Sequence, residues 1–266
     1  MGLSIERLDA EIAATRFAGR GHVLEAVEST NDTLHEMARG GAPAGSFVIA
    51  NEQTGGRGRQ RRPWISPPGL GLFLSVLFRP PAGPPTRWTL GAAVAACDAC
   101  RDLGAPETSI KWPNDLLVGP DKVGGILVET RTAGPAVDEL ILGLGINVHH
   151  DADEIAAIGV PSATSLRLSA ASGMVGGRTR LAVEFLRRLD EIATAIEAGD
   201  WHGVAAAWLD RAPRAVDAAV AITPPDGTPW AGITAGLAAD GALLVRDANK
   251  RVHEVRQVDS VRFTEG

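Results

Sequence analysis

The chain has 266 residues, enough for one large domain or for a large domain with a small appendage. Hydrophobic residues make up 45% of the chain and charged residues 22%, proportions that exclude a disordered or fibrous protein. The net charge of −6 is opposite in sign to that of a protein whose main task is nonspecific nucleic-acid binding.

Hydrophobic periodicity predicts an α+β domain with a mainly antiparallel sheet, followed by a small β-rich unit. The second helix is capped by Ser29 or Thr30, and the strand at 71–78 is apolar on both faces, which indicates burial. In chain order the predicted elements are helices at 4–14 and 32–39, strands at 46–51 and 71–78, a helix at 87–103, strands at 109–112, 115–118, 123–131 and 138–148, and helices at 178–199 and 201–211.

The residue pattern of the sequence changes after Pro213. Short β-like runs are then separated by turns rich in Pro, Asp, Gly and Asn, a pattern that predicts a small β-barrel. The runs lie at 216–222, 230–238, 242–246 and 251–257. We therefore expect two domains, at residues 1–212 and 213–266.

No apolar run approaches the roughly 18 residues of a membrane-spanning helix. The N-terminus carries acidic residues and has no apolar core or cleavage site of a signal peptide. We therefore expect a cytoplasmic protein without membrane contact.

Two clusters resemble reactive or metal sites but have simpler interpretations. Cys97 and Cys100 lie inside the predicted helix at 87–103, where the helix dipole does little to stabilise a thiolate, so we interpret them as packing residues. The run of His149, His150, Asp151 and Asp153 follows a predicted strand and is typical of a polar loop.

An arginine-rich loop at residues 52–69 is the most unusual stretch. Four arginines fall within residues 57–62 of an acidic protein and should repel one another unless they bind an anion. Arginine suits phosphate, and the interleaved glycines allow close approach of the backbone. There is no GxxxxGK[ST] sequence for a nucleotide, and a solvated or nucleic-acid-binding basic loop is the alternative.

A Lys-Trp-Pro-Asn-Asp turn at residues 111–115 can place a cation, an amide and a carboxylate around phosphate and magnesium. One aspartate suffices, because Mg²⁺ uses few protein carboxylates. An ordinary hairpin turn is the alternative interpretation.

Glycine pairs interrupt two apolar strands. Gly124 and Gly125 follow Lys122, and Gly143 and Gly145 precede Asn147. Missing side chains on a strand leave room for close packing, so both pairs indicate a narrow apolar pocket with cations at its mouth, although a bulge would explain the first pair equally well. Taken alone, residues 29–31, Ser-Thr-Asn, predict an ordinary helix cap.

Five motifs occur together in chain order: STN at 29–31, QTGGRGR at 53–59 with Trp64 downstream, KWPND at 111–115, KVGGILVE at 122–129 and GLGIN at 143–147. In this order they resemble the catalytic domain of biotin protein ligases, also called biotin–acetyl-CoA-carboxylase ligases. The resemblance covers about residues 25–212, and the β-rich tail is similar to the small SH3-like domain of that family. It implies a class II synthetase-like fold, with a mixed, mainly antiparallel central sheet and helices on one side.

The resemblance implies a two-step reaction of biotin and Mg·ATP. Biotin's carboxylate attacks the α-phosphate to form biotinyl-5′-AMP and pyrophosphate, and a lysine amine of a biotin carboxyl carrier domain then attacks the acyl carbon. Several positive charges and no protein nucleophile are what this chemistry requires. A Gly/Arg loop that orders over the adenylate would exclude water.

Site roles carried over from the family motifs fall into three groups. The catalytic residues are Arg57, Lys111 and Lys122. Biotin contacts are expected from Ser29, Thr30, Asn31, Gln53, Gly56, Arg57, Gly58, Arg59, Lys122, Gly125, Gly143 and Gly145. ATP contacts are expected from Arg59, Arg62, Trp64, Lys111, Asn114, Asp115 and Asn147, with Trp64 on adenine and Asp115 as the Mg²⁺ ligand.

Three positions depart from the family pattern. Arg61 stands where the family has a glycine and Pro63 precedes the tryptophan, so the loop should be stiffer than usual. Gly124 stands where the family often has alanine.

Partners follow from the same resemblance. A biotin carboxyl carrier domain is the expected partner, and the resemblance also implies a homodimer. Only 28 residues precede Ser29, fewer than a DNA-binding module of about 60 residues needs, so we expect a monofunctional ligase that does not bind DNA.

Two rival functions remain open. Lipoate and octanoate ligases have a similar fold and also form acyl adenylates, and GRGR with KWPND favours biotin over them. A non-catalytic biotin-binding or nucleotide-binding protein would not need the phosphate cluster.

Overall fold

The computed structural model describes residues 3–134, 136–169, 177–224, 227–256 and 260–263. The helices are α1 Ile5–Glu11, α2 Thr30–Arg39, α3 Pro85–Asp102, α4 Ala152–Ala157, α5 Leu166–Ser169, α6 Gly177–Glu197 and α7 Trp201–Arg211. The first seven strands are β1 Gly21–Val27, β2 Phe47–Gln53, β3 Gly71–Phe78, β4 Thr108–Lys111, β5 Asp115–Val118, β6 Asp121–Ala133 and β7 Ala136–Asn147. None of the described helices is long and apolar enough to cross a membrane.

These seven strands form one mixed sheet in the order β1-β2-β3-β7-β6-β5-β4. Only β1 and β2 run parallel, and every other pair is antiparallel. The α+β class with a mainly antiparallel sheet is therefore confirmed. Strand β3 lies inside the sheet and is buried along its whole length, as its two-sided apolar pattern predicts.

Helices α1, α3, α6 and α7 pack on one face of the sheet in the main hydrophobic core, as expected. Helix α2 is the exception, because its apolar stripe packs on the opposite face. There Leu34 and Ala38 meet Val48, Leu77 and Ile141 in a separate small core. The start of α2 is thereby held beside β3 and β7.

Register brings the glycine-containing parts of β6 and β7 together, beside the middle of β3. Ser75 of β3 pairs with Gly143 of β7, and Gly143 pairs in turn with Leu127 of β6. The β4–β5 turn follows at the edge, where Lys111 pairs with Asp115.

The tail forms an antiparallel five-stranded sheet in the order β11-β10-β9-β8-β12. Its strands are β8 Val216–Thr223, β9 Trp230–Leu237, β10 Leu243–Arg246, β11 Val252–Val255 and β12 Ser260–Phe263. This small all-β unit agrees with the predicted SH3-like domain. Its β9–β10 turn contacts the larger domain, where the buried Trp112 Nε1 donates to the Gly241 carbonyl oxygen at 3.2 Å.

Several elements differ from those predicted. Helix α1 ends at Glu11 instead of residue 14, and β1, α4, α5 and β12 were not predicted. Strand β1 is an edge strand with exposed polar side chains, so it lacks the apolar run that marks the inner strands.

The predicted polar loop at residues 149–153 includes the beginning of α4. Asp151 caps this helix and forms a reciprocal capping box with Glu154. Among the described residues there is no group of three or more His, Cys, Asp or Glu side chains placed to hold a metal ion.

His150 predicts a loss of stability in mild acid. Its ring is fully buried, and neither ring nitrogen has a hydrogen-bond partner in the described part of the chain. Burial lowers the pKa of His150 from its ordinary 6.5, and His149 adds to that effect while Glu154 and Asp151 oppose it. Below pH 6.5 the unfolded chain therefore binds a proton that the folded chain does not.

The free energy of unfolding should thus be unaffected by this group above pH 6.5 and fall as the pH drops below it, by at most about 1.4 kcal/mol per pH unit. Urea unfolding of the wild type and of His150→Leu, measured between pH 7.5 and 5, tests this, because the variant should have a flatter profile. His22→Gln, at an exposed position, is the control. Equal slopes for wild type and His150→Leu would contradict the prediction.

Cys97 and Cys100 are both buried in α3, as their interpretation as packing residues requires. Burial raises the pKa of the Cys97 thiol to about 12 and raises that of Cys100 as well. We expect a thiol-specific reagent at pH 8 to leave the folded protein unmodified and to label both cysteines in denaturant. Rapid labelling of the folded chain would contradict this prediction.

Candidate active site

A cleft of about 540 Å³ opens where the start of α2, the arginine-rich loop, the β4–β5 turn, β6 and β7 meet. All the predicted site residues line it except Gly56 and Asn147. The predicted residues in its wall are Ser29, Thr30, Asn31, Gln53, Arg57, Gly58, Arg59, Arg62, Trp64, Lys111, Asn114, Asp115, Lys122, Gly125, Gly143 and Gly145. Five motifs that are far apart in the sequence therefore form one site.

One end of the cleft is strongly cationic in a protein of net charge −6. Among the described residues its charged lining is Arg57, Arg59, Arg62, Lys111, Lys122 and Arg262 on the positive side, with Asp115 as the one carboxylate. Burial lowers the pKa of Arg59, and the nearby Arg62 adds to this while Asp115 opposes it. Such an excess of positive charge favours an anion with several negative charges.

Arg57 is held by two carboxylates that the sequence analysis did not identify. Its Nη1 and Nη2 form a bidentate pair with Asp32 at 2.5 and 2.7 Å, and Nη2 lies 3.0 Å from Glu129 Oε2. Both carboxylates raise the pKa of Arg57, the hydrogen bond to Asp32 having the largest effect. Arg57 therefore ties the loop to α2 and β6, and its charge is shared with those partners.

Lys122 contacts both an acid and an aromatic ring of the cleft wall. Its Nζ is 2.5 Å from Asp115 Oδ1 and 5.7 Å from the centre of the Trp64 ring. Asn114 is fixed against β6, because its Nδ2 donates to the Ile126 carbonyl oxygen at 2.8 Å and its own carbonyl accepts from Ile126 N. This turn therefore does more than reverse the chain, since it holds Asp115 beside Lys122.

The opposite end of the cleft is polar but uncharged. Ser29 occupies the N-cap position of α2, yet its side chain makes no capping hydrogen bond. The Gln53 Oε1 accepts from Thr30 N at 2.9 Å, and Gln53 Nε2 donates to Ser66 Oγ at 3.0 Å. Ser29 is thus the N-cap by position, as predicted, but its side chain makes no capping bond and lines the cleft.

The glycines of β7 do not leave an open slot, which corrects the prediction from their spacing. A Cβ on Gly143 would lie 2.5 Å from Asn31 Oδ1, and one on Gly145 would lie 2.7 Å from Trp64 Nε1. The space that a side chain would occupy is filled by Asn31 and Trp64 of the same chain. Both glycines still line the cleft. Glycine is needed at these positions mainly because a larger residue would collide with Asn31 or Trp64.

The arginine-rich loop forms a small hairpin between residues 56 and 64. Gly58 N donates to the Arg62 carbonyl oxygen, and Trp64 N donates to that of Gly56. A Cβ on Gly56 would lie 2.5 Å from the Trp64 carbonyl oxygen, so Gly56 closes the hairpin and does not line the cleft. Arg61 adopts a φ of +56°, in the left-handed region that favours glycine, which accounts for the family glycine at this position.

Two further positions have structural roles. A Cβ on Gly124 would lie 2.7 Å from the Gly145 carbonyl oxygen, so β6 and β7 approach closely there. Asn147 is buried beyond the cleft wall, where its Nδ2 donates to the Thr164 carbonyl oxygen.

Sequence reasoning missed Asp32, Ser75, Glu129 and Arg262. Ser75 is the lone hydroxyl in the apolar run of β3, and that contrast was a usable signal. Arg262 comes from β12 of the small domain and reaches the cleft wall only through the contact between the two domains.

Comparison with known proteins gives a consistent result. Residues 23–147 match the model of the biotin/lipoate A/B protein ligase family. The biotin–[acetyl-CoA-carboxylase] ligase of Paracoccus denitrificans is 34% identical over 237 residues, which cover 84% of this chain and 93% of that protein. The bifunctional ligase/repressor of Bacillus spizizenii is 40% identical over 151 residues, and this match spans only 46% of its length and 56% of this chain.

Solved structures show the same fold. The biotin protein ligase of Aquifex aeolicus, in complex with biotin and ATP, superimposes with a TM-score of 0.78 at 24% identity, covering 92% of this chain and all of that one. The biotin protein ligase of Leishmania major, in complex with biotin, gives a TM-score of 0.62 at 25% identity over 90% of this chain and 98% of that one.

Proposed function

The chain belongs to the biotin protein ligase family, and we propose that it activates biotin with ATP and transfers it to a lysine of a biotin carboxyl carrier domain. The observation that carries the proposal is the division of a single cleft into a neutral polar end and a cationic end. An uncharged ring with hydrogen-bonding groups fits the neutral end, and a triphosphate fits the cationic end.

In the first step, a carboxylate oxygen of biotin forms a bond to the α-phosphorus of ATP. The bond from that phosphorus to the bridging oxygen breaks, and pyrophosphate leaves with that oxygen. Both reactants are anions, so Lys122, Arg59 and Lys111 reduce their repulsion and stabilise the charge of the transition state. Holding the two reactants in one cleft removes the entropic cost of their encounter.

Asp115 is the one carboxylate in the described cleft wall and fits a magnesium ion that arrives with ATP. A magnesium ion keeps most of its waters and takes one or two carboxylates together with phosphate oxygens. It would neutralise charge on the triphosphate, while Lys122 fixes the position of the Asp115 carboxylate.

In the second step, the lysine amine of the carrier attacks the acyl carbon of biotinyl-5′-AMP. The bond from that carbon to the phosphate oxygen breaks, AMP leaves, and the nitrogen releases a proton. Trp64 and the hairpin at 56–64 cover this part of the cleft and would protect the anhydride from water, with Trp64 as the side chain we assign to adenine.

Lipoate ligation is the second candidate, because the matched family model includes lipoate ligases. The neutral end of the cleft weighs against it. Ser29 and Thr30 offer hydrogen bonds to a ligand that the dithiolane ring of lipoate cannot use, so this part of the cleft adds no affinity for lipoate.

The deciding experiment is exchange of labelled pyrophosphate into ATP in the presence of Mg²⁺ with biotin, lipoate, octanoate or no added acid. Exchange that requires biotin supports the proposal. Exchange with lipoate or octanoate instead assigns the chain to the second candidate, and exchange with none of the acids refutes both. Transfer is then tested by mass spectrometry of a carrier domain incubated with biotin and ATP.

A further inference from the structure

Ser75 places a hydroxyl at a position where the fold alone requires none. It lies in the middle of the apolar strand β3 and is completely buried. Its Oγ lies 2.7 Å from Thr30 Oγ1 and 2.6 Å from Asn31 Oδ1. Ser75 does not itself line the cleft, but both of its partners do.

Glu129 determines which way the Asn31 amide faces. A carboxylate can only accept hydrogen bonds, so the atom of Asn31 that lies 2.6 Å from Glu129 Oε2 must be the amide nitrogen. Glu129 is held in turn by Arg57, at 3.0 Å. The Asn31 oxygen is therefore the atom that faces Ser75.

Counting hydrogens then fixes the direction of the remaining hydrogen bonds. The Asn31 oxygen cannot donate, so the single hydroxyl hydrogen of Ser75 must go to it. The Thr30 hydroxyl hydrogen has two acceptors in reach, Gln53 Oε1 at 3.1 Å and Ser75 Oγ at 2.7 Å, and the shorter contact between the two hydroxyl oxygens takes it. Gln53 Oε1 is still satisfied, because it accepts from Thr30 N at 2.9 Å.

We propose that Ser75 and Glu129 are positioning residues that make the Thr30 hydroxyl a hydrogen-bond acceptor toward the cleft, and so select a ligand ring that carries an N–H. The hydrogen bonds run from Thr30 to Ser75, to Asn31 and to Glu129, and we name this series the serine relay. With its own hydrogen committed to Ser75, Thr30 offers only lone pairs to a ligand. Ser29, which makes no capping bond, supplies a hydroxyl hydrogen for a ligand carbonyl.

A cyclic urea has both groups, an N–H and a carbonyl, whereas a dithiolane ring or an alkyl chain has neither. The serine relay therefore rests on the proposed function and explains how the same site would discriminate biotin from lipoate and octanoate. A site that requires a hydrogen bond rejects ligands that cannot form it more strongly than an apolar pocket rejects extra bulk.

Gly143 is consistent with the relay. It pairs with Ser75 across β3 and β7, and a Cβ there would lie 2.5 Å from the Asn31 oxygen. Glycine at this position leaves the Ser75–Asn31 hydrogen bond undisturbed.

The test uses Ser75→Ala, which removes the relay hydroxyl and nearly preserves the packing volume. Calorimetry of the full chain should show biotin affinity reduced by about tenfold, in line with the loss of one hydrogen bond in a buried site, with ATP affinity unchanged. A biotin analogue methylated at both ureido nitrogens should bind wild type and Ser75→Ala equally weakly. Ser46→Ala, at another buried serine outside the cleft wall, is the matched control and should bind biotin like wild type.

A double-mutant cycle separates positioning from a merely structural role. In a Thr30→Val background, Ser75→Ala should cause little further loss of biotin affinity, because the relay acts through Thr30. Wild-type affinity for biotin in Ser75→Ala, or full additivity with Thr30→Val, would overturn the relay. Ser75→Cys keeps a weak donor and provides a second variant if the alanine variant does not fold.

Failure of the proposed function gives a different result. In that case the wild type itself would not bind biotin and would show no biotin-dependent exchange, whereas failure of the relay alone leaves both intact in wild type and in Ser75→Ala.

Discussion

Replacing Lys122 by methionine is expected to lower the rate of biotin-dependent pyrophosphate exchange by about 10²–10³-fold, the usual effect of removing one preorganised charge from a transition state. Methionine keeps most of the length of the side chain and removes only the ammonium group. It also removes the ion pair that fixes the position of the Asp115 carboxylate. Exchange rates at saturating ATP and biotin measure the effect.

Lys250→Met is the matched control for this experiment. Lys250 is exposed in the small domain and lies outside the cleft wall, so its replacement should leave the exchange rate at the wild-type level. Circular dichroism should show both variants folded. A folded Lys122→Met protein with wild-type exchange would remove Lys122 from the catalytic group.

The second large effect is expected from Gly143→Val. The first carbon of any side chain at this position would lie 2.5 Å from the Asn31 oxygen, a distance at which Asn31 must move. Displacing Asn31 disrupts its bonds to Glu129 and Ser75, so biotin affinity should fall by about 100-fold. ATP affinity should change little, because the cations that line the cleft belong to other elements.

Calorimetric titration with each ligand separately distinguishes this explanation from general unfolding. A second check compares the single variant Gly143→Ala with the double variant that carries both Gly143→Ala and Asn31→Gly. Because Asn31→Gly removes the side chain that Gly143→Ala displaces, the two changes together should lower the melting temperature by less than the sum of the single changes, without restoring biotin affinity. Equal losses of biotin and ATP affinity in Gly143→Val would show that Gly143 supports the sheet as a whole.

The pairing of Arg57 changes how its role is understood. The family motif implies direct stabilisation of the reacting carboxylate, but the guanidinium already has two carboxylate partners, Asp32 and Glu129. Through Glu129 it also anchors the amide of Asn31. Arg57 therefore connects the arginine-rich loop to the uncharged end of the cleft, whereas Arg59 forms no ion pair among the described residues, so we expect Arg59 rather than Arg57 to bind an anion.

Many elements could be predicted from the sequence because their causes are local. The strand at 71–78 and the helix at 87–103 follow from continuous apolar runs and helical periodicity, and the structure places them within two residues of those bounds. Strand β1 was missed because it lacks such a local signal: a partly exposed edge strand has no strong apolar pattern. The short helix α4 was missed because its capping residues resemble an ordinary polar turn.

By itself, the sequence determined the fold class, the two-part organisation, the family and the set of motifs that would meet in one cleft. Those features depend on patterns along the chain and on motif order. Only the tertiary structure decided which atoms are partners: Asn31 over Gly143, Trp64 over Gly145, and Arg57 between Asp32 and Glu129. The physical reason is that a side-chain hydrogen bond depends on distance and direction in space, and residues 31, 75, 129 and 143 come together only when β3, β6 and β7 pair beneath α2.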